Sequence, residues 1–153
     1  MAKTVIDTVE FPNEVFLKEV AALIVDGHDV TLRVRGVSMR PFLEDRRDKI
    51  VLTKPLRRPI VGDVVLAEIA QGKYVYHRII TIEDDKVTLK GDGNVVGTEQ
   101  CVMANILAAT KNFIRKGKLF SPEGWVWRCY SALWPNWPFA RRVQLTMYRI
   151  FRF

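Results

Sequence analysis

A serine at position 38 lies in segment 36–43 (GVSMRPFL), directly after an alternating apolar and polar run, Val30 to Arg35. The alternation predicts a strand, and the proline of the segment stiffens the turn that follows it. A serine hydroxyl is a weak nucleophile until a base takes its proton. The segment could therefore carry acyl-transfer chemistry if the fold brings a base to Ser38.

The chain has two histidines, and their sequence contexts differ. His28 lies in segment 26–29 (DGHD), which is typical of a turn between a helix and a strand. His77 lies in segment 75–80 (VYHRII), whose alternation of period two indicates a strand. Because a strand holds a side chain in fixed geometry, His77 is the better candidate for the base. Asp92 is a candidate for an acid that orients the imidazole ring.

Four short motifs follow one another along the chain: Ser-Met-x-Pro at 38–41, Gly-Asp-Val-Val at 62–65, His-Arg-Ile at 77–79 and Lys-Gly-Asp-Gly-Asn at 90–94. Their order resembles the signal peptidase superfamily, which also contains the LexA-type self-cleaving domains. The resemblance spans about residues 29–110, and four motifs in order are more specific than any one of them. The bacterial signal peptidase I branch and the LexA-type proteins of that superfamily use a lysine base, whereas the branch found in archaea, the endoplasmic reticulum and some bacteria uses histidine. Because His77 stands where the lysine would fall, the chain resembles the serine–histidine branch.

The resemblance implies a serine endopeptidase that cleaves a precursor or leader peptide through an acyl-enzyme. In that interpretation Ser38 is the nucleophile, His77 is the general base and later the general acid, and Asp92 helps to hold the imidazole. Met39 and Pro41, which flank the serine turn, are candidates for contact with the substrate. The substrate would enter as an extended strand.

Two positions depart from the pattern of the family. The serine–histidine branch usually has a second aspartate shortly after its Lys-Gly-Asp motif, but this sequence continues with Val-Val-Gly-Thr-Glu at 95–99. Glu99 either substitutes for that aspartate or the position has no counterpart. Gly36 stands where the lysine branch often has a hydroxyl residue that assists the oxyanion hole. The backbone N–H of Ser38 is therefore the expected oxyanion donor.

Spacing of the apolar residues predicts a mainly β (β-rich α+β) fold, a small and partly closed β-body with an N-terminal helix and a C-terminal aromatic and basic helical tail. The resemblance implies that this body is of the signal peptidase and LexA catalytic-domain type. At 153 residues the chain fits one domain. It divides into an N-terminal helical segment (1–28), a β catalytic domain (29–116) and a basic, Trp-rich tail (117–153). Asn13 can cap a helix that runs to Val25, with Gly27 ending it. The predicted strands are Val30–Arg35, Lys49–Lys54, Asp63–Ile69, Lys73–Ile82, Lys86–Lys90 and Ile106–Ile114.

The tail carries the net charge of the chain. Residues 111–153 have nine Lys or Arg and one acidic residue, a net charge of +8, whereas residues 1–110 have fifteen basic and sixteen acidic residues, a net charge of −1. All four tryptophans lie in the tail, and Arg141–Phe153 reads as a basic amphipathic helix. Peripheral membrane contact through residues 125–153 is one interpretation, and packing of the aromatic residues on the β-body is the other. Nucleic-acid binding is disfavoured because apolar runs accompany the arginines.

The remaining expectations concern compartment, cofactors and rival functions. Cys101 and Cys129 lack metal-ligand spacing, which predicts unpaired thiols in a reducing compartment, no metal and no cofactor. No secretory signal or membrane span is recognised, so we expect a cytoplasmic protein, with the membrane surface as an alternative location. The rival to a peptidase is a non-catalytic interaction protein that retains the fold. A LexA-like regulator is disfavoured because only about 28 residues precede the first predicted strand.

Overall fold

The computed structural model describes residues 4–5, 13–36, 38–94, 97–133 and 138–151. These residues form a mainly β structure with a few helices, which confirms the predicted fold class. The strands are β1 (Thr4–Val5), β2 (Val30–Arg33), β3 (Lys49–Thr53), β4 (Val64–Ala70), β5 (Lys73–Glu83), β6 (Lys86–Lys90), β7 (Glu99–Val102), β8 (Ile106–Arg115) and β9 (Lys118–Phe120). The α-helices are α1 (Asn13–Val25), α2 (Trp125–Leu133) and α3 (Pro138–Phe151).

One sheet contains all of the described strands, in the order β1-β2-β3-β8-β4-β5-β6-β7, with β9 paired to β8. The pair β1 and β2 is parallel, and the other pairs are antiparallel. Over the described part of the chain the sheet does not close into a barrel. The six predicted strands are all present, whereas β1, β7 and β9 were not predicted because they are short and lack a long alternating pattern.

Helix α1 has the predicted bounds, Asn13–Val25. The helix is followed by a turn at Gly27, whose φ of 92° is a conformation that glycine adopts without a Cβ penalty. Val20 and Ile24, one turn apart, have no exposed surface, so this face of the helix packs into the main core. The helix contacts β2, β5 and β8. The helix therefore covers the face of the sheet that carries the main core.

Strand β4 is buried on both faces, and it separates two hydrophobic clusters. Val64 and Leu66 belong to the larger cluster, which includes α1, β2 and the serine turn. Val65 and Ala67 point the other way and belong to a smaller cluster with β6 and β7. This explains why residues 64–67, the first four of β4, are all apolar and do not alternate with polar residues. The candidate histidine on β5 lies opposite Val65 and so faces the side of the smaller cluster.

Helix α2 packs on the β-body and lies within the predicted helical tail (117–153), although the sequence predicted no bounds for it. Trp127 is only 5% exposed, and its ring stacks on Phe113 at a centroid distance of 4.2 Å. It also meets Phe42 edge to face at 4.9 Å. Of the two interpretations of the tail, packing of the aromatic residues on the β-body is therefore the one that holds for Trp127. Trp134 and Trp137 lie outside the described residues.

Helix α3 begins at Pro138, three residues before the predicted start at Arg141. Proline is favoured in the first turn of a helix because its missing N–H would have had no helical partner there. The predicted end at Phe153 lies outside the described residues. Among the described helices, none has the length and apolar composition that a membrane crossing requires.

Candidate functional site

The serine turn is anchored by buried apolar side chains on its C-terminal side. Met39, Phe42 and Leu43 are each at most 4% exposed, and the N–H of Leu43 donates to the carbonyl of Met39 at 3.1 Å. At the other end, the N–H of Gly36 donates to Asp45 Oδ1 at 2.7 Å. The φ of Gly36 is 81°, so a larger residue there would be strained. The turn is thereby fixed at both ends around Ser38.

The Lys-Gly-Asp-Gly-Asn motif holds the backbone of the serine. The N–H of Gly93 donates to the carbonyl oxygen of Ser38 at 2.7 Å. A Cβ placed on Gly91 would lie 2.5 Å from that same oxygen and 3.1 Å from the Ser38 Cβ. Because such distances are well inside van der Waals contact, glycine is required at position 91 for the two segments to approach. The motif therefore positions the candidate nucleophile through main-chain contacts.

His77 is held by a carboxylate from a neighbouring strand. Its Nδ1 lies 2.9 Å from Glu99 Oε2, and the side chains of His77 and Glu99 are 8% and 27% exposed. The register explains the encounter, since Glu99 is opposite Leu89 on β6, and Leu89 is opposite Ile79 on β5. Residues opposite each other share a face of the sheet, and so do residues two apart on one strand. The bond to Glu99 occupies Nδ1 and leaves Nε2 of the imidazole for a second partner.

The hydrogen bonds of Asp92 differ from the predicted ones. Its two carboxylate oxygens accept from Arg78 Nε and Nη2 at 2.7 and 2.8 Å, and the hydroxyl of Tyr130 donates to Oδ2 at 2.7 Å. We expected Asp92 to hold the imidazole, but the ring of His77 bonds to Glu99 instead. The reason is alternation: Arg78 and His77 are adjacent on β5, so their side chains point to opposite faces of the sheet. Asp92 is fully buried and serves the Arg78 face.

Arg78 is enclosed by helix α2. Its guanidinium carbon lies 4.7 Å from the centre of the Trp127 ring, and Nη1 donates to Ser131 Oγ at 2.9 Å. Burial lowers the pKa of Arg78, but the hydrogen bonds and the charge of Asp92 outweigh it and leave the pKa above its ordinary value. The side chain is thus a charged, buried link between β5, the 90–94 loop and α2. An arginine inside an apolar strand pattern is the sequence signal for such a buried charge, but no role was predicted for Arg78 from it.

Ser38 and His77 line the same cleft, which has a volume of about 630 Å³. Residues of α1, of strands β2, β3, β4 and β5, and of the segment that follows β2 complete its walls. Met39, a predicted substrate contact, lines the cleft although most of its side chain is buried. Pro41, the other predicted contact, is not among the described lining residues, and His28 is exposed on a turn elsewhere. The apolar part of the lining is Phe16, Leu17, Leu32, Val34, Ile50, Leu52, Leu66, Tyr74, Val75 and Tyr76.

The mainly β body carries Ser38 and His77 in one cleft, and the comparison with protein families assigns the chain to the LexA and signal peptidase superfamily. The chain matches the model of the Peptidase S24-like family over residues 2–109, so it belongs to that family. A search of curated proteins found no match. The match ends before α2, so the helix that encloses Arg78 is outside the shared region.

Proposed function

We propose that this chain is a serine endopeptidase that cleaves an extended segment of a precursor or leader peptide through an acyl-enzyme. Ser38 is the nucleophile, His77 is the general base, and Glu99 orients the imidazole. The observation that carries the proposal is the shared cleft: Ser38 and His77 both line it, and Nδ1 of the imidazole is bonded to Glu99. Membership of the Peptidase S24-like family supports the reaction class.

The arrangement of His77 and Glu99 suits both halves of the reaction. With Nδ1 bonded to a carboxylate, the imidazole presents Nε2 to the cleft and takes the proton as Ser38 Oγ attacks the peptide carbonyl. The protonated ring then gives that proton to the leaving amine. In the second half, His77 removes a proton from water, and the water oxygen attacks the acyl carbonyl. The bond to Ser38 Oγ then breaks, and the imidazolium returns the proton to that oxygen. The negative Glu99 stabilises the imidazolium in both halves.

Oxyanion stabilisation is assigned to the main chain of the serine turn. Gly36 has no side chain to contribute, and its N–H is already bonded to Asp45. The N–H of Ser38 is therefore the donor we assign to the oxyanion, because a backbone donor held by a rigid turn needs no reorganisation as charge develops. Gly93 contributes to that rigidity by its bond to the Ser38 carbonyl.

The walls of the cleft favour an extended, apolar stretch of substrate. Leu32 and Val34 line it on the side of β2, and Tyr74 and Tyr76 line it on the side of β5. A peptide in β conformation can bond to backbone groups along such a wall, and its alternate side chains then enter the apolar cleft.

Within this proposal we assign the chain to the serine–histidine branch of the superfamily, because a histidine stands in the position of the base.

A fluorophosphonate probe tests the proposal without knowledge of the natural substrate. An activated serine attacks the phosphorus, fluoride leaves, and a stable adduct forms on the oxygen. We expect intact-mass analysis to show one adduct and peptide mapping to place it on Ser38. Ser121→Ala is the matched control, because Ser121 is exposed and outside the lining of this cleft. Absence of labelling, or an adduct on another serine, would contradict a Ser38 nucleophile and favour the non-catalytic interaction protein.

Replacing Glu99 by glutamine should slow labelling of Ser38 by roughly 10²-fold or more, because the neutral amide no longer stabilises the imidazolium and can bind the wrong tautomer. The rate constant for adduct formation, measured by mass spectrometry over time, is the readout. Glu83→Gln is the control, since Glu83 is an exposed residue of β5. An unchanged rate for Glu99→Gln, with labelling still dependent on His77, would remove Glu99 from the site.

A further inference from the structure

Helix α2 exposes large apolar side chains, together with Arg128, on the face that points away from the core, and it packs an apolar face against the core. Trp127 is 5% exposed, whereas Trp125 and Leu133 are 77% and 78% exposed. Positions 125, 129 and 133 recur every four residues and lie on one side of the helix, and Cys129 between them is also exposed. A soluble helix of this length normally places polar residues on its outer side. The outer side of α2 therefore needs an apolar partner.

Helix α3 has a second exposed apolar stripe, accompanied by arginines. Val143, Met147 and Ile150 are 44%, 50% and 68% exposed and recur at i, i+4 and i+7, which places them on one face. Arg142 and Arg149, seven residues apart, are exposed on a different face. A helix with an apolar stripe and a cationic face is typical of segments that lie in the interface of a bilayer.

We infer that the outer side of α2 and the apolar stripe of α3 dock on an anionic lipid surface. Val143, Met147 and Ile150 enter the boundary between headgroups and acyl chains, and Arg142 and Arg149 meet lipid phosphates. The charge distribution supports this, because residues 111–153 carry a net charge of +8 while residues 1–110 carry −1. The inference is independent of the proposed peptidase chemistry.

The observations favour lipid over the other partners that a basic surface could bind. Phosphate contacts to a nucleic acid would use the arginines but would leave the Val, Met and Ile stripe in water. A protein partner or a second copy of this chain would cover the stripe, but a copy brings the same positive charge to the contact. Trp125 adds an exposed indole, a side chain enriched at the headgroup level of membranes. A lipid surface meets both the apolar and the charged requirement.

Vesicle flotation of the full chain tests the inference. We expect binding to vesicles of phosphatidylcholine with 30% phosphatidylglycerol, weak binding to pure phosphatidylcholine, and loss of binding as salt rises. The double substitution Met147→Glu and Ile150→Glu should lower the bound fraction at least about tenfold. Two apolar side chains that would enter the bilayer are then replaced by negative charges, which the anionic surface repels. Leu56→Glu with Leu119→Glu is the matched control, because both are exposed leucines outside α2 and α3.

The charge contribution is tested separately. Arg142→Gln with Arg149→Gln should lower binding to the anionic vesicles by roughly tenfold, whereas Lys73→Gln with Lys86→Gln, exposed residues of β5 and β6, should leave it nearly unchanged. Melting curves establish that each variant is folded. Failure of the full chain to float with anionic vesicles would overturn the inference, and so would equal flotation of the Met147/Ile150 variant. Tighter binding to single-stranded DNA than to vesicles, or a dimer that the Met147/Ile150 variant abolishes without any vesicle binding, would also overturn it.

Discussion

Replacing His77 by alanine is expected to slow the reaction of Ser38 with a fluorophosphonate by roughly 10²–10⁴-fold, the usual contribution of a positioned general base. Without the imidazole the hydroxyl proton must go to water, so Ser38 remains a weak nucleophile. Ser38→Ala is expected to abolish the adduct altogether. The second-order rate constant for adduct formation, followed by intact mass, measures both effects.

His28→Ala is the matched control for this substitution, because it removes an exposed imidazole on a turn outside the cleft. His77 is buried, so His77→Gln is a second variant that keeps more of the side-chain volume and loses the base. Circular dichroism and thermal melting show whether each variant retains the fold. Wild-type labelling rates in folded His77→Ala and His77→Gln would eliminate the Ser38–His77 pair, even if Ser38 itself were labelled.

Replacing Asp92 by asparagine is expected to lower the free energy of unfolding by about 3–5 kcal/mol, the usual cost of removing one partner of a buried ion pair. Asparagine keeps the volume but leaves the charged Arg78 guanidinium in a site where the two side chains of the pair are 11% and 0% exposed. It also weakens the bond from Tyr130, which connects α2 to the loop. Urea denaturation followed by fluorescence measures the change.

The same substitution at Asp63 is the control for Asp92→Asn. Asp63 binds Arg57 with two contacts of 2.8 and 3.0 Å, but the Arg57 side chain is 58% exposed. Screening by water limits such a pair to below about 1 kcal/mol, so Asp63→Asn should cost far less than Asp92→Asn. Equal losses for the two variants would show that the Arg78–Asp92 pair does not have the structural role assigned to it here.

The sequence predicted the parts of the site that depend on local patterns. Ser38 follows an alternating run and precedes a proline, and His77 lies inside a long alternating strand, so both were recognised from their neighbours. Helix α1 was predicted with its observed bounds because Asn13 and Gly27 are strong helix-boundary residues. These features need no information about distant parts of the chain.

The parts that the sequence did not settle depend on long-range register. Glu99 reaches His77 only because β7 pairs with β6 and β6 with β5, and a strand of four residues gives too short a pattern to predict that pairing. We predicted that Asp92 lies beside His77. The pleat of the strand, and not closeness in sequence, decides which β5 side chain the Asp92 carboxylate contacts. The inward packing of Trp127 was left as one of two alternatives, because a Trp-rich basic segment suits a core or a membrane surface equally well.

Two adjacent residues of β5 connect the proposed catalytic site with helix α2. His77 lines the cleft, and the side chain of Arg78 points to the opposite face of the sheet from that of His77, where Asp92, Trp127 and Ser131 hold it. The family-matched region stops at residue 109, inside β8, yet Trp127 is part of the main core. A chain shortened to the matched region would lose residues 110–115, six of the ten residues of β8, and the Trp127 ring that lies over Arg78. The end of the family-matched region is therefore not the end of the packed core, and the residue that α2 holds, Arg78, is the direct chain neighbour of the proposed base, His77.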